Sequence, residues 1–262
     1  MTTESKLLVS LENGIKRITF NRPERRNAAD NETLALLRQA IQESAEDESK
    51  VIILTGSGDS FCAGADLQSS ENFNLREIDV TKLLRENTNP TVVAMRELNK
   101  PIIARVHGAA AGVGCNYALA CDLIIASDEA RFGQVFVKIG LAPDGGGSFF
   151  LPRTVGYAKA FELIATGELL SAEDALNLGL INRVVPLSEL DRTVNELATR
   201  LAAAPSVALA KIKQELNYAM NHTLAEALDN EAVNQADCFR SQDFKEGVQA
   251  FLEKRKANFI GR

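Results

Sequence analysis

Three short runs in this 262-residue chain are almost wholly apolar: residues 51–55, 101–106 and 122–127. A strand that is apolar without alternation must be covered on both faces, unlike the in–out pattern of a half-exposed sheet. The first run breaks at once into Gly56-Ser57-Gly58, and the second into His107-Gly108-Ala109-Ala110-Ala111-Gly112-Val113-Gly114. Helical patterns alternate with these runs up to about residue 187. From Ser188 onward the pattern is helical alone, reset at Pro205. The expectation is an α/β core over residues 1–195 and an all-helical part over residues 196–262. Hydrophobic residues at 45% suffice for such a core, and the scarcity of aromatics argues against a β-sandwich.

Local signals fill in the rest. Residues 7–11 and 15–20 are β-like runs joined by Asn13-Gly14, a hairpin signal. Asp30 is a candidate N-cap for a helix carrying Leu34, Leu37 and Ile41 on one face. Residues 68–90 are polar and patternless, a long segment running into a helix at about 90–98. A helix follows the small-residue run to about residue 120. The sequence after Pro143, Asp144-Gly145-Gly146-Gly147-Ser148, opens another, and Ser171 and Gly179 start and stop a short one before a last strand at 180–185.

Charge and composition exclude several classes. A net charge of −6 argues against nucleic acid or an anionic membrane as partner. No apolar stretch reaches the roughly 18 residues of a membrane span, and the start carries no secretory apolar region. Cys62, Cys115, Cys121 and Cys238 have no framework spacing and read as reduced thiols of a cytoplasmic protein. With only His107 and His222, no metal site is expected. His107 reads as a structural residue at a strand end and His222 as a surface residue.

Three constellations can carry chemistry. Phe61-Cys62-Ala63-Gly64-Ala65-Asp66-Leu67 follows a buried strand, and its small residues let main-chain N–H groups approach a ligand; it also reads as a tight turn with Asp66 as a helix cap. The run 107–114 leads into a helix whose N-terminus can offer N–H groups to an oxyanion, or is merely close helix–sheet packing. It fits neither the dinucleotide nor the P-loop glycine pattern. In Gly140-Leu141-Ala142-Pro143-Asp144-Gly145-Gly146-Gly147, Asp144 either caps the next helix or, at the end of the run Val135, Phe136, Val137 and Ile139, serves as a general base with a raised pKa.

In their order these motifs resemble the crotonase superfamily of enoyl-CoA hydratases and isomerases. The resemblance also takes in Asn21-Arg22-Pro23-Glu24, Lys100-Pro101-Ile102-Ile103-Ala104, Cys121-Asp122-Leu123, Arg131-Phe132-Gly133 and Gly167 with Ala172, Ala175 and Gly179, and so nearly the whole length. It implies a crotonase-like spiral of repeated ββα units with a C-terminal helical part that packs homotrimers or dimers of trimers. It implies an acyl-CoA thioester as substrate, with no cofactor apart from that CoA. Carried onto this chain, the N–H groups of Ala65 and Val113 hold the thioester oxygen; Val113 stands where relatives usually have Gly. Arg25, Arg26, Ala28, Ala63, Gly64, Asp66 and Leu67 would meet CoA, Gly112, Asn116 and Phe136 the acyl end, and residues 68–90 the acyl pocket. Lys256 and Phe259 would complete the adenine or phosphate pocket, from a neighbouring subunit.

The departures decide the expected reaction. Hydratases of this family place glutamates where this chain has Asn116 and Phe136, neither of which can act as a base. Asp144 matches the acidic residue of the ring-1,2-epoxyphenylacetyl-CoA and 3-enoyl to 2-enoyl isomerases. The expectation is therefore an isomerase with Asp144 as single base. The alternatives are an enoyl-CoA hydratase that holds water between Asp144 and Asn116, a dehalogenase lacking its catalytic His, and a non-catalytic acyl-CoA- or RNA-binding protein of this fold.

Overall fold

The computed structural model describes residues 5–67 and 79–262. The chain opens with a hairpin, β1 (Leu7–Glu12) and β2 (Ile15–Phe20), paired antiparallel from Leu7↔Phe20 to Glu12↔Ile15. Asn13 and Gly14 both take positive φ, as the two-residue turn between twisted strands requires. Helix α1 (Asn31–Glu43) starts where Asp30 accepts the Thr33 N–H at 2.9 Å.

From there the chain winds. Strand β3 (Val51–Gly56) lies parallel to β2. Further along come α2 (Val80–Leu83), a π-helical turn (Leu84–Thr88) and α3 (Asn89–Glu97). The next circuit is β4 (Ile102–Val106), the short β5 (Ala109–Ala111) and α4 (Val113–Ala120). The third is β6 (Leu123–Ser127), β7 (Arg131–Gly133), a 3-10 turn (Val135–Ile139), α5 (Gly147–Val155) and α6 (Tyr157–Thr166). Strand β8 (Leu169–Ser171) and α7 (Ala172–Asn177), capped by Ser171, then return the chain to β9 (Arg183–Val185). Each circuit places one strand in a large sheet of order β1-β2-β3-β4-β6-β9. The second and third circuits then visit a small sheet, β5-β7-β8, before their helices. Single bridges, Ala29↔Ala65 and Cys62↔Ala110, extend the small layer toward the N-terminus. The result is the α/β spiral of the crotonase type.

The uninterrupted apolar strands follow from burial on both sides. Ile52, Leu54, Ile102, Ala104, Ile124 and Ala126 face the spiral interior with α1 and α4. Their alternating neighbours Val51, Ile53, Ile103 and Ile125 face α8 (Leu187–Ala202) through Leu190, Val194, Leu197 and Ala198. Each fully buried aliphatic side chain contributes about 1.5–3 kcal/mol relative to exposure. The expected boundary at residue 195 falls within α8, a continuous helix packed on the large sheet. Beyond it α9 (Ser206–Ala219), α10 (Leu224–Arg240) and α11 (Gln242–Glu253) complete the helical part. Buried Lys213 ties α9 to the core, donating to the Met95 carbonyl and pairing with Asp122 at 2.8 Å. Ile212, Leu216, Leu228, Val248, Phe251 and Leu252 remain exposed on these helices.

Several local expectations need correction. Helix begins at Val80 rather than near 90, because Asp79 accepts the Lys82 N–H and so starts a turn that hydropathy alone does not mark. Residues 68–78, expected to line the acyl pocket, lie outside the described residues. The run 107–114 contains β5, too short to show a period. Of residues 180–185 only the last three are strand. Cys62, Cys115 and Cys121 are buried free thiols, and Cys238 is half-buried. Among the described residues no helix is long and apolar enough to cross a membrane.

Candidate active site

Two main-chain loops run side by side at one edge of the small layer. Cys62 donates to Ala109 and accepts from Ala111. This parallel bridge lays residues 62–65 along residues 109–113. Gly64 faces Gly112: a Cβ on Gly64 would stand 3.0 Å from the Ala111 carbonyl oxygen, and one on Gly112 would lie 3.9 Å from the Gly64 Cα. Both glycines hold positive φ, +108° and +54°. At Gly64 a side chain would crowd the Ala111 carbonyl, so glycine is required there by contact as well as by conformation; at Gly112 it is required by conformation.

The residues after the two glycines are Ala65 and Val113. In the Ala29↔Ala65 bridge, Ala29 donates to the Gly64 carbonyl and accepts from the Asp66 N–H. In a parallel pairing that leaves the N–H of Ala65 itself directed away from Ala29. Ala65 is exposed, and among the described residues its N–H meets no acceptor. Val113 is the first residue of α4, where helical geometry leaves N–H groups without a carbonyl partner. The site thus holds two main-chain donors, one of them at the positive end of a helix.

Asp144 stands next to them. The Cβ position of Gly145 lies 2.9 Å from Val113 Cγ2, 3.5 Å from Thr88 Cγ2 and 3.6 Å from Asn116 Cβ, so the Asp144 turn packs against α4 and the π-helical turn. The carboxylate caps no helix, since α5 starts at Gly147 without a side-chain cap. Its Oδ1 is buried and, among the described residues, has no hydrogen-bond partner. Burial pushes the carboxyl up to about 6, because removal from water disfavours the charged form. Phe136 is buried, with its ring tip 3.8 Å from the Cβ position of Gly112, and closes the apolar side of the donor pair.

Asn116 does not face the open site. It is fully buried, donates from Nδ2 to the Asp144 carbonyl at 2.7 Å and accepts from Gln134 Nε2 at 2.7 Å. Both ends of the amide expected to meet substrate or water are thus engaged within the protein.

The expected CoA loop is assembled beside the first donor. Ala63 donates to the Arg26 carbonyl, placing residues 25–28 along residues 63–66. Arg25 and Arg26 are exposed, and Ala28 and Ala63 half-buried. Arg26 and Asn27 both adopt left-handed backbone, at φ 50° and 58°. Two residues given no role from the sequence hold this arrangement. Arg22 donates to the Ala28 carbonyl at 2.5 Å and to Asp66 at 2.6 Å. Asn27, buried, donates to the carbonyls of Ser57 and Ser60. Arg22 lay within the quoted Asn-Arg-Pro-Glu motif; a lone Asn in a polar loop gives no signal. The Asp66 carboxylate faces Arg22 and is buried, whereas Leu67 is exposed.

Other expected residues lie elsewhere. Lys256 and Phe259 line a groove with Thr199, Ala203 and Pro205, on the helical part and apart from Arg25 and Arg26. His107 is structural: Nδ1 accepts from Arg105 at 2.8 Å, so the proton sits on Nε2 and is donated to the Gly58 carbonyl at 2.8 Å. Its burial lowers its pKa. His222 is exposed and stacks on Tyr218.

Residues 10–262 match the family model described as enoyl-CoA hydratase/isomerase. The chain belongs to the enoyl-CoA hydratase/isomerase family. It is 40% identical over 264 residues to 1,2-epoxyphenylacetyl-CoA isomerase of Escherichia coli, covering 98% of each chain. It is 37% identical over 258 residues to crotonyl-CoA hydratase of Syntrophomonas wolfei, again covering 98% of each. The crystal structure of enoyl-CoA hydratase from Mycobacterium smegmatis superposes with a TM-score of 0.92 at 35% identity, over 98% of this chain and 99% of that one. Relatives in this crotonase superfamily thus carry both hydratase and isomerase names.

Proposed function

We propose that this family member is an enoyl-CoA isomerase with Asp144 as its single base. The observation that carries the reading is the buried Asp144 Oδ1, unpartnered among the described residues, beside two main-chain donors that likewise meet no acceptor among them. The thioester oxygen would accept from the Ala65 and Val113 N–H groups. The Asp144 carboxylate would take a proton from carbon 2 of a 3-enoyl thioester. The electron pair moves onto the thioester oxygen and across the double bond as a dienolate. The same carboxyl then returns the proton to carbon 4, giving the 2-enoyl thioester with no net gain or loss of atoms. Each oxyanion donor is worth roughly 2.7–4 kcal/mol of transition-state stabilisation. Opening of a ring epoxide would use the same base and the same donors.

Arg25 and Arg26 are the candidate phosphate partners, at the exposed mouth beside Ala63. Gly64 and Gly112 admit the thioester by their lack of side chains, and Phe136 excludes water from it. The apolar face of the helical part supports a homotrimer, or a dimer of trimers, in which Lys256 and Phe259 of one chain reach the CoA of the next. The reading is of a cytoplasmic enzyme needing no metal and no cofactor beyond the CoA of its substrate.

Hydration of 2-enoyl-CoA is the second reading, favoured by the hydratase names among the relatives. Against it, Asn116 is committed within the protein and Phe136 is apolar, which among the described residues leaves Asp144 as the carboxyl beside the donors that is free to act. The deciding experiment follows 3-hexenoyl-CoA isomerisation and crotonyl-CoA hydration side by side in the native enzyme and in Asp144→Asn. Isomerisation that dominates and vanishes in the variant is the expected result; dominant hydration overturns the reading.

A further inference from the structure

We propose that Asn116 and Gln134 are positioning residues that fix where the Asp144 carboxylate stands relative to the two amide donors. The proposal rests on the reading of Asp144 as the base. The second donor and the base belong to different elements: Val113 opens α4, and Asp144 sits in the turn before α5. Proton transfer demands that they hold one geometry. Asn116 lies three residues after Val113, about one helical turn along the same face. From there its Nδ2 donates to the Asp144 main-chain carbonyl at 2.7 Å, the hydrogen bond that joins α4 to the base. The same carbonyl also accepts the Gly147 N–H at 3.1 Å.

The orientation of the Asn116 amide is itself determined. Gln134 Nε2 donates to Asn116 Oδ1 at 2.7 Å. Turning the Asn116 amide over would set donor against donor at Gln134 and acceptor against acceptor at Asp144. Asn116 is 0% exposed and Gln134 3%, so neither touches substrate and no bulk water replaces a lost bond. Gly147 completes the arrangement, since a Cβ there would stand 2.8 Å from both Asn116 Nδ2 and Gln134 Oε1. The bond matters because Gly145 and Gly146 follow Asp144 with φ of +54° and +88°. Two glycines leave the turn free to pivot, and the Asn116 amide restrains it by a side-chain hydrogen bond.

The test uses Asn116→Ala, Gln134→Met and Asp144→Asn beside the native enzyme. It reads kcat and KM for 3-hexenoyl-CoA isomerisation, the Kd of hexanoyl-CoA and the melting temperature. A base displaced by about 1 Å costs on the order of 100-fold. Asn116→Ala should therefore lose about 100-fold in kcat and Gln134→Met about tenfold. Hexanoyl-CoA should bind all variants as it binds the native enzyme. The proposal is overturned if either variant folds and keeps native kcat while Asp144→Asn is inactive; Asp144 then stands as base without this support. It is also overturned if the loss resides in Kd and KM alone. Should Asn116→Ala not fold, Gln134→Met decides, as it keeps much the same volume while removing the amide that orients Asn116. Native turnover by Asp144→Asn, or no isomerisation by the native enzyme, removes the underlying reading and the proposal with it.

Discussion

The two halves of the site are held in opposite ways. The donor half is main chain throughout: Gly64 against Gly112, Cys62 paired with Ala110, and α4 starting at Val113. Its chemistry is independent of the side chains of Ala65 and Val113, yet it fails if a glycine gains one. The base half is a side chain on a glycine-rich turn, with a buried oxygen left unpaired among the described residues. There function depends on one side chain and on the residues beneath it. The difference teaches that substitutions should sort by half: Cβ additions damage the first, and changes of polar group damage the second.

The sharpest test of the base half is Asp144→Asn. The amide keeps the shape but replaces one acceptor oxygen with an NH2 donor and accepts no proton. General base catalysis contributes about 10²–10⁴-fold, so isomerisation should fall by that factor while acyl-CoA binding persists. For the donor half, Gly112→Ala is the matching change. Its Cβ would meet nothing closer than 3.8 Å, so the damage comes from backbone conformation, φ +54° with ψ −131°. Relaxation there swings the Val113 N–H away, and kcat should fall about 10²–10³-fold, the value of one lost oxyanion donor. Native kcat in Gly112→Ala would break the comparison.

The same contrast explains what the sequence revealed. The large sheet was legible because burial on both faces leaves continuous apolar runs such as Val51 to Thr55. The hairpin at Asn13-Gly14 and the cap at Asp30 were legible because each answers a local backbone need. The donor loops were visible as clustered glycines, though only resemblance to relatives assigned them a role. Strand β5, three residues long, is fixed by pairing with β7, a contact 22 residues away that no local window contains. The double engagement of Asn116 was invisible for the same reason: its partners, Gln134 and Asp144, come from the next circuit of the spiral. Arg22 and Asn27, which tie residues 25–28 to residues 57–66, also act through contacts distant in sequence.

Acid sharpens the comparison, because only the base half titrates. With Asp144 near 6, kcat/KM should rise with pH through about 6 and level off above it. At pH 5 about a tenth of the plateau should remain, since the protonated carboxyl takes no proton. Stability should run the other way. The folded-state pKa is raised above the ordinary carboxylate value of 3.8, so the folded state binds the proton more tightly than the unfolded chain. This contribution is fully present below about 4 and is lost as pH climbs through about 6. Asp144→Asn should therefore melt higher than the native enzyme at pH 8, with the gap closing toward pH 4. A flat rate profile from pH 5 to 8 would contradict the burial of this carboxyl.

The smallest effect belongs to Val113→Ala. The group assigned to the thioester oxygen is the main-chain N–H, which alanine retains, and alanine is the better helix former at the first position of α4. What is lost is packing. Val113 is buried, and its Cγ2 lies 2.9 Å from the Cβ position of Gly145, so the methyl groups brace the turn that carries Asp144. Asn116 still anchors that turn through its carbonyl. Shaving the brace while keeping the anchor should lower kcat less than about threefold, against about 100-fold for a base displaced by 1 Å. Steady-state kinetics of the two variants in parallel measure the ratio. Equal losses in Val113→Ala and Asn116→Ala would mean that packing, not the amide hydrogen bond, holds the base, and the line drawn between the two halves would shift accordingly.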